Sequence, residues 1–103
     1  MIDIDAARQR REFLRWVLLL GLNNARPIGA WQEVLLSIAR GVYPDATRHE
    51  VRLELDYLSD RTLVTCDKQP DGRWFCELTR TGVDLVEYVV PCEPGIARPE
   101  KMG

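Results

Sequence analysis

The sequence is short of histidine, lysine and usable cysteine spacing. His49 is the only histidine, and Cys66, Cys76 and Cys92 fall in no CxxC pattern. A structural zinc site takes about four Cys or His ligands in tight spacings, so no metal site is implied. An odd number of cysteines does not close a secreted disulfide framework either. Two lysines stand against twelve arginines. Arginine brings a planar fork suited to phosphates, carboxylates and base edges, although GC-rich coding produces the same bias. A net charge of -2 argues against a blanket polyanion binder and leaves room for a local basic patch. The longest apolar run, Phe13 to Leu22, is interrupted by Arg15 and falls well short of the ~20 residues that cross a bilayer. The start of the chain, acidic at Asp3 and Asp5, does not read as a signal peptide. The expectation is a cytoplasmic protein with no membrane partner. No glycine-rich phosphate loop and no Ser-His-Asp or Cys-His set can be assembled. Asp56 and Asp60 share a helix face without a cleft around them, so neither an enzyme nor a cofactor is expected.

What is present suits one soluble domain: 103 residues, 46% apolar and 29% charged. Residues 5–23 favour helix, with Asp5 placed to cap it. Its apolar residues run almost all round, so this helix must be covered on more than one side. Phe13, Trp16 and Leu20 are the candidate homodimer contacts; cover by the C-terminal tail is the alternative. Asn23 to Pro27 breaks the helix, and Pro27-Ile28-Gly29 is expected as a short strand. Trp31, Val34, Leu35 and Ile38 repeat at helical spacing, giving a second helix over 30–40 with Gly41 at its C-cap.

Thr47 and Glu50 have capping-box spacing and start a third helix, whose core face is Val51, Leu55 and Leu58. At 100° per residue these lie within about 60°, with Leu53 and Tyr57 roughly opposite. A strand follows, then Gln69-Pro70-Asp71-Gly72-Arg73, which fits a type I turn closed by a left-handed glycine. That loop pairs Lys68 with Trp74, Cys66 with Cys76 and Val64 with Leu78. Two reduced thiols are the ordinary reading of the cysteine pair in a cytoplasm; a redox disulfide is the alternative. Thr81 and Asp84 give a further capping signal for a last helix carrying Val83, Leu85, Val86, Val89 and Val90. Residues 1–90 form the domain, and the Pro/Gly-rich segment 91–103 is expected to be an extended or disordered tail.

Two phrases carry a family resemblance. Leu55 to Val64 is similar to the passage from recognition helix into wing in winged-helix proteins, with Thr62 standing where a glycine often precedes the Leu-Val pair. Leu78-Thr79-Arg80-Thr81-Gly82 is similar to the Leu-Thr-x-x-Gly phrase that opens the helix after the wing. The layout resembles the MarR- and PadR-type regulators and, more loosely, small winged-helix proteins of Mu-like prophages. The resemblance implies an α+β, mostly α fold: a winged helix-turn-helix with a two- or three-stranded wing sheet. It also implies a DNA-binding protein, a small transcriptional regulator or a prophage accessory factor. In such proteins the third helix enters the major groove and the wing touches the backbone. Carried over by position, the candidate DNA contacts are Thr47, Arg48, His49 and Arg52 on the helix and Lys68 and Arg73 at the wing.

The third helix departs from that pattern. Glu50, Glu54, Asp56 and Asp60 outnumber its arginines, and phosphate attraction supplies most non-specific affinity. Arg8, Arg10, Arg11 and Arg15 on the first helix offer a compensating basic patch only if that helix lies near the duplex. Leu53 and Tyr57, taken as exposed, support a different use: a protein-protein module that docks a partner on the third helix.

Overall fold

Leu14, Leu18 and Leu22 recur every fourth residue along the first helix and are fully buried, as is Leu19 beside them. The computed structural model describes residues 4–101; Asp3 and the outermost ends of the two expected segments, 1–3 and 102–103, lie outside them. In chain order the elements are α1 Ile4–Asn24, β1 Ala30–Trp31, α2 Gln32–Val42, α3 Arg48–Asp60, β2 Val64–Lys68, β3 Trp74–Leu78 and α4 Arg80–Val86. The three strands form an antiparallel sheet in the order β1-β3-β2. Helix α1 is the hub, touching α2, α3, α4 and β3. The fold is α+β, mostly α, with the helix, helix, wing and helix order of a winged helix.

The hairpin register is the expected one, with Val64, Cys66 and Lys68 facing Leu78, Cys76 and Trp74. The turn closes with Gly72 N–H donating to Gln69 O while Gly72 holds φ +91°. Thr47 caps α3 by accepting from Glu50 N–H at 3.1 Å. Val51, Leu55 and Leu58 are fully buried beneath it.

Other boundaries differ. Pro27, Ile28 and Gly29 form a turn, with Ile28 and Gly29 N–H both donating to Ala25 O. The strand lies just beyond, at Ala30–Trp31 against Cys76 and Phe75, which delays α2 to Gln32. Gly41 is inside α2, not its cap. Tyr43, edge-on to Phe13 and under the Arg10 guanidinium, holds the helix on through Val42. Asp5 lies within the first turn of α1. Helix α4 is capped by Thr79, two residues before the expected Thr81, through Gly82 N–H to Thr79 Oγ1 at 3.0 Å. Gly82 is needed there, because a β-carbon would sit 2.1 Å from the Leu63 carbonyl oxygen.

Both α3 and α4 end in the same way. Thr62 and Tyr88 take left-handed φ values of 61° and 62°. Thr62 and Leu63 N–H donate to Ser59 O and Leu58 O, and Tyr88 and Val89 N–H donate to Leu85 O and Asp84 O. This bond pair is that of a left-handed C-cap, normally a glycine's place. It ends α4 at Val86, so Val89 and Val90 are not helical as expected, and Val89 is exposed.

Residues 91–101 have no regular structure, within the expectation of an extended or disordered tail, and they pack on α1, the alternative cover for that helix. Ala97 N–H donates to Glu12 O, Arg15 Nη1 to Gly95 O, and Arg98 Nη1 to Leu85 O and Val90 O. Tyr88 OH reaches Pro99 O at 2.7 Å.

Candidate nucleic-acid interface

Successive helical residues advance by about 100°, so on α3 the side away from the core carries His49, Leu53, Asp56 and Asp60. Arg48 and Arg52 lie on the flank toward the wing. Thr47, Arg48 and His49 are exposed, and neither Arg48 nor His49 has a bonded partner among the described residues. These two stand free at the helix start.

Arg52 is committed differently. Its Nε donates to Gln32 Oε1 at 2.6 Å, its Nη2 donates to Gly72 O at the wing tip, and its guanidinium lies 4.7 Å from the Trp74 ring centroid. One side chain thus joins α2, α3 and the wing. Gln32 is fully buried, and its Nε2 has no hydrogen-bond partner among the described residues. Lys68 Nζ is 3.1 Å from Asp56 Oδ1 and 4.2 Å from the Trp74 centroid. Arg73 pairs with Asp71 at 2.8 Å and lies over Trp31, itself edge-on to Phe75. The Arg73 backbone N–H, and then its guanidinium, hold the exposed Asp71 carboxyl below the ordinary carboxylate range. The wing therefore presents cations that are stacked on indoles and partly neutralised.

The acidic residues of α3 are arranged in a way the sequence does not disclose. Glu54 is 4% exposed and accepts from Arg15 Nε at 2.7 Å. Glu50 accepts from Arg10 Nε and Nη2 at 2.7 and 2.8 Å, a two-pronged contact that holds Arg10 firmly protonated, with Asp45 adding a third bond. Asp56 is paired with Lys68. Of the four carboxylates on this helix, Asp60 alone lacks an ion-pair partner among the described residues. The arginines of α1 do not form a second basic patch for a duplex. Arg10 and Arg15 neutralise α3, Arg8 reaches Asp5 and Glu12, and Arg11 stays exposed.

Leu53 is 52% exposed, as the protein-contact reading expects. Tyr57 is not. Its ring lies between Arg15 and Arg61, whose guanidinium carbons are 3.4 and 3.7 Å from its centroid, and Gly95 of the tail closes over its hydroxyl. On α1, Phe13 and Leu20 are each 38% exposed. Trp16, expected beside them, is buried within its own chain, edge-on to Tyr88. Among the described residues no cluster of His, Cys, Asp or Glu could hold a metal ion, and no helix is long and apolar enough to cross a membrane.

The class this geometry defines is the winged helix. The chain is similar in fold to the crystal structure of a "putative dna-binding protein" from Ralstonia eutropha JMP134, at a TM-score of 0.61 and 19% identity over 88% of this chain and 100% of that one. No protein-family model matches the sequence, and no curated protein matches it.

Proposed function

We propose that this chain is a cytoplasmic winged-helix DNA-binding protein, a small homodimeric transcriptional regulator or prophage accessory factor. One observation carries the reading: α3 pairs most of its negative charge with cations of its own chain and leaves Arg48 and His49 exposed without a bonded side-chain partner among the described residues, beside the capping Thr47. Glu54 is buried on Arg15, Glu50 is held by Arg10 and Asp56 by Lys68. Glu50 and Glu54 are drawn onto the α1 arginines, so of the acid that weakens the DNA reading at the level of sequence only Asp56, against Lys68, and Asp60 remain on the outward face. Arg48 is placed to offer its paired donors to a guanine edge or a phosphate, and His49 a ring N–H to phosphate. Arg52 ties the wing tip to the helix, and in this reading Arg73 and Lys68 exchange their contacts to Asp71 and Asp56 for the duplex backbone. The fold neighbour's own description as a DNA-binding protein points the same way. Phe13 and Leu20 supply the apolar contact for the second copy.

The experiment is fluorescence anisotropy with random duplex across a salt series. Binding should weaken linearly on a log-log plot, and loss of one phosphate contact should lower the slope by about 0.9. No binding at tens of micromolar in low salt refutes the reading. Leu53, half exposed at the centre of the outward face, favours a second one, in which α3 docks a protein. Partner capture abolished by Leu53→Asp, with duplex binding absent in the parent, selects it.

A further inference from the structure

Within the wing, Cys66 and Cys76 face each other with their sulfurs 3.3 Å apart. The turn fixes what kind of pair this is. Gln69 N–H donates to Arg73 O, so Gln69 and Arg73 form the hydrogen-bonded pair that closes the loop. Antiparallel pairs alternate, so Lys68 with Trp74 is non-hydrogen-bonded, Asp67 with Phe75 hydrogen-bonded, and Cys66 with Cys76 non-hydrogen-bonded. Non-hydrogen-bonded partners bring their α-carbons to about 4.5 Å, within the span a disulfide bridges. Both side chains lie on the ribbon face that α3 and the core cover, since alternation puts Thr65, Asp67 and Glu77 on the exposed face.

The two sulfurs are not equivalent. Cys76 is fully buried, whereas Cys66 is part-exposed. The Cys76 thiol donates toward the Cys66 sulfur, which holds Cys66 below the ordinary thiol range and Cys76 above it. Asp56 opposes the thiolate at Cys66 and Lys68 favours it. Cys92 stands apart in the tail, its thiol directed at the Glu93 and Ile96 carbonyls.

We propose that Cys66 and Cys76 form a reversible oxidation site that takes hydrogen peroxide, with Cys66 the attacking sulfur and Cys76 the resolving one. The Cys66 sulfur attacks one peroxide oxygen, the O–O bond breaks, and the departing hydroxide takes up the Cys66 proton as water. Cys66 is then a sulfenic acid. The Cys76 sulfur attacks the Cys66 sulfur, the S–O bond breaks, and the hydroxyl leaves with the Cys76 proton as a second water. Two thiols are oxidised to one disulfide and one peroxide is reduced to two waters. A small oxidant suits a sulfur that is only part-exposed. The product ties β2 to β3 just below the wing tip, enclosing the Gln69–Arg73 turn.

The test uses the full chain treated with hydrogen peroxide, read by intact mass and non-reducing peptide mapping. The expected result is a loss of two hydrogens, a Cys66–Cys76 linked peptide, an alkylatable Cys92, and full recovery with dithiothreitol. In Cys76→Ser the expected product is a Cys66 sulfenic acid that a dione probe traps. In Cys66→Ser, Cys76 should stay reduced. Oxidation first at Cys92, an intermolecular link, over-oxidation of Cys66 without a link, or three thiols unchanged would each overturn the proposal. The wild-type result decides the matter even if a serine variant fails to fold, and it is independent of whether the chain binds DNA.

Discussion

Arg15 donates through Nε to Glu54 Oε1 at 2.7 Å across a sequence separation of 39, with both side chains almost withdrawn from water. Removing one partner of a buried pair strands the other charge, which costs about 3–5 kcal/mol. Glu54→Ala and Arg15→Ala should each unfold at markedly lower urea than the parent. The joint replacement Arg15→Met/Glu54→Leu should recover most of that loss. An additive double variant would show that the pair is not coupled.

Thr62 is a β-branched residue at φ 61°, a region that costs a non-glycine residue about 1–2 kcal/mol. Thr62→Gly keeps the N–H bond to Ser59 O and the carbonyl that accepts from the Thr79 hydroxyl. It should raise stability by about 1 kcal/mol, or roughly 4–8 °C in a calorimetric scan of a domain this size. An unchanged or lower melting temperature would mean that the threonine methyl and hydroxyl contacts outweigh the backbone strain.

Arg48 and Arg52 separate two roles that one helix face would otherwise confuse. Arg48 is exposed and unpartnered among the described residues, so Arg48→Ala should leave thermal stability within about 0.5 kcal/mol of the parent. It should lower duplex affinity and flatten the salt slope. Arg52→Ala removes the bonds to Gln32 and Gly72 and the stack on Trp74. It should destabilise the fold by about 1–3 kcal/mol as well as weaken binding. Equal stability losses in the two variants would contradict the structure.

Among the described residues of α1, Phe13 and Leu20 are the large apolar side chains left partly exposed, each at 38%. If they seat a second copy, Phe13→Ser/Leu20→Ser should sediment as a monomer where the parent sediments as a dimer. A monomeric parent at high micromolar concentration removes the homodimer from the proposal. Trp16 is no test of this, because its loss would open the core.

The parts of this molecule legible in its sequence are those fixed by local chemistry. Thr47 caps α3 because a hydroxyl three residues before a backbone N–H can do little else there, and Gly72 sets the hairpin register because the turn type leaves one pairing. Illegible were the positions where tertiary contacts overrule local preference. Threonine and tyrosine do not signal a left-handed cap, so the ends of α3 and α4 at Thr62 and Tyr88 had no mark in the pattern. Glu54 lies about 200° round the helix from Asp56, so the periodicity already sets it beside Val51 and Leu58; what the pattern does not show is Arg15, the partner on a different helix that lets a carboxylate be buried there. The candidate site was half visible. Arg48 and His49 stand where position alone puts them, but the commitment of Arg52 to Gln32 and the wing depends on contacts brought together by the whole fold.

The packing of the tail has a bearing on how the chain comes to be folded. Arg15 finds its second partner, the Gly95 carbonyl, 80 residues further along, and Glu12 accepts from Ala97. At a synthesis rate of about 5–20 residues per second, α1 waits roughly 4–16 s for those groups to leave the ribosome. During that interval Trp16 lacks Tyr88, and Tyr57 and the Arg15–Glu54 pair lack their cover. Helix α1 is thus among the last surfaces completed, and the nascent chain stays open to chaperones and proteases along the helix that later becomes its hub.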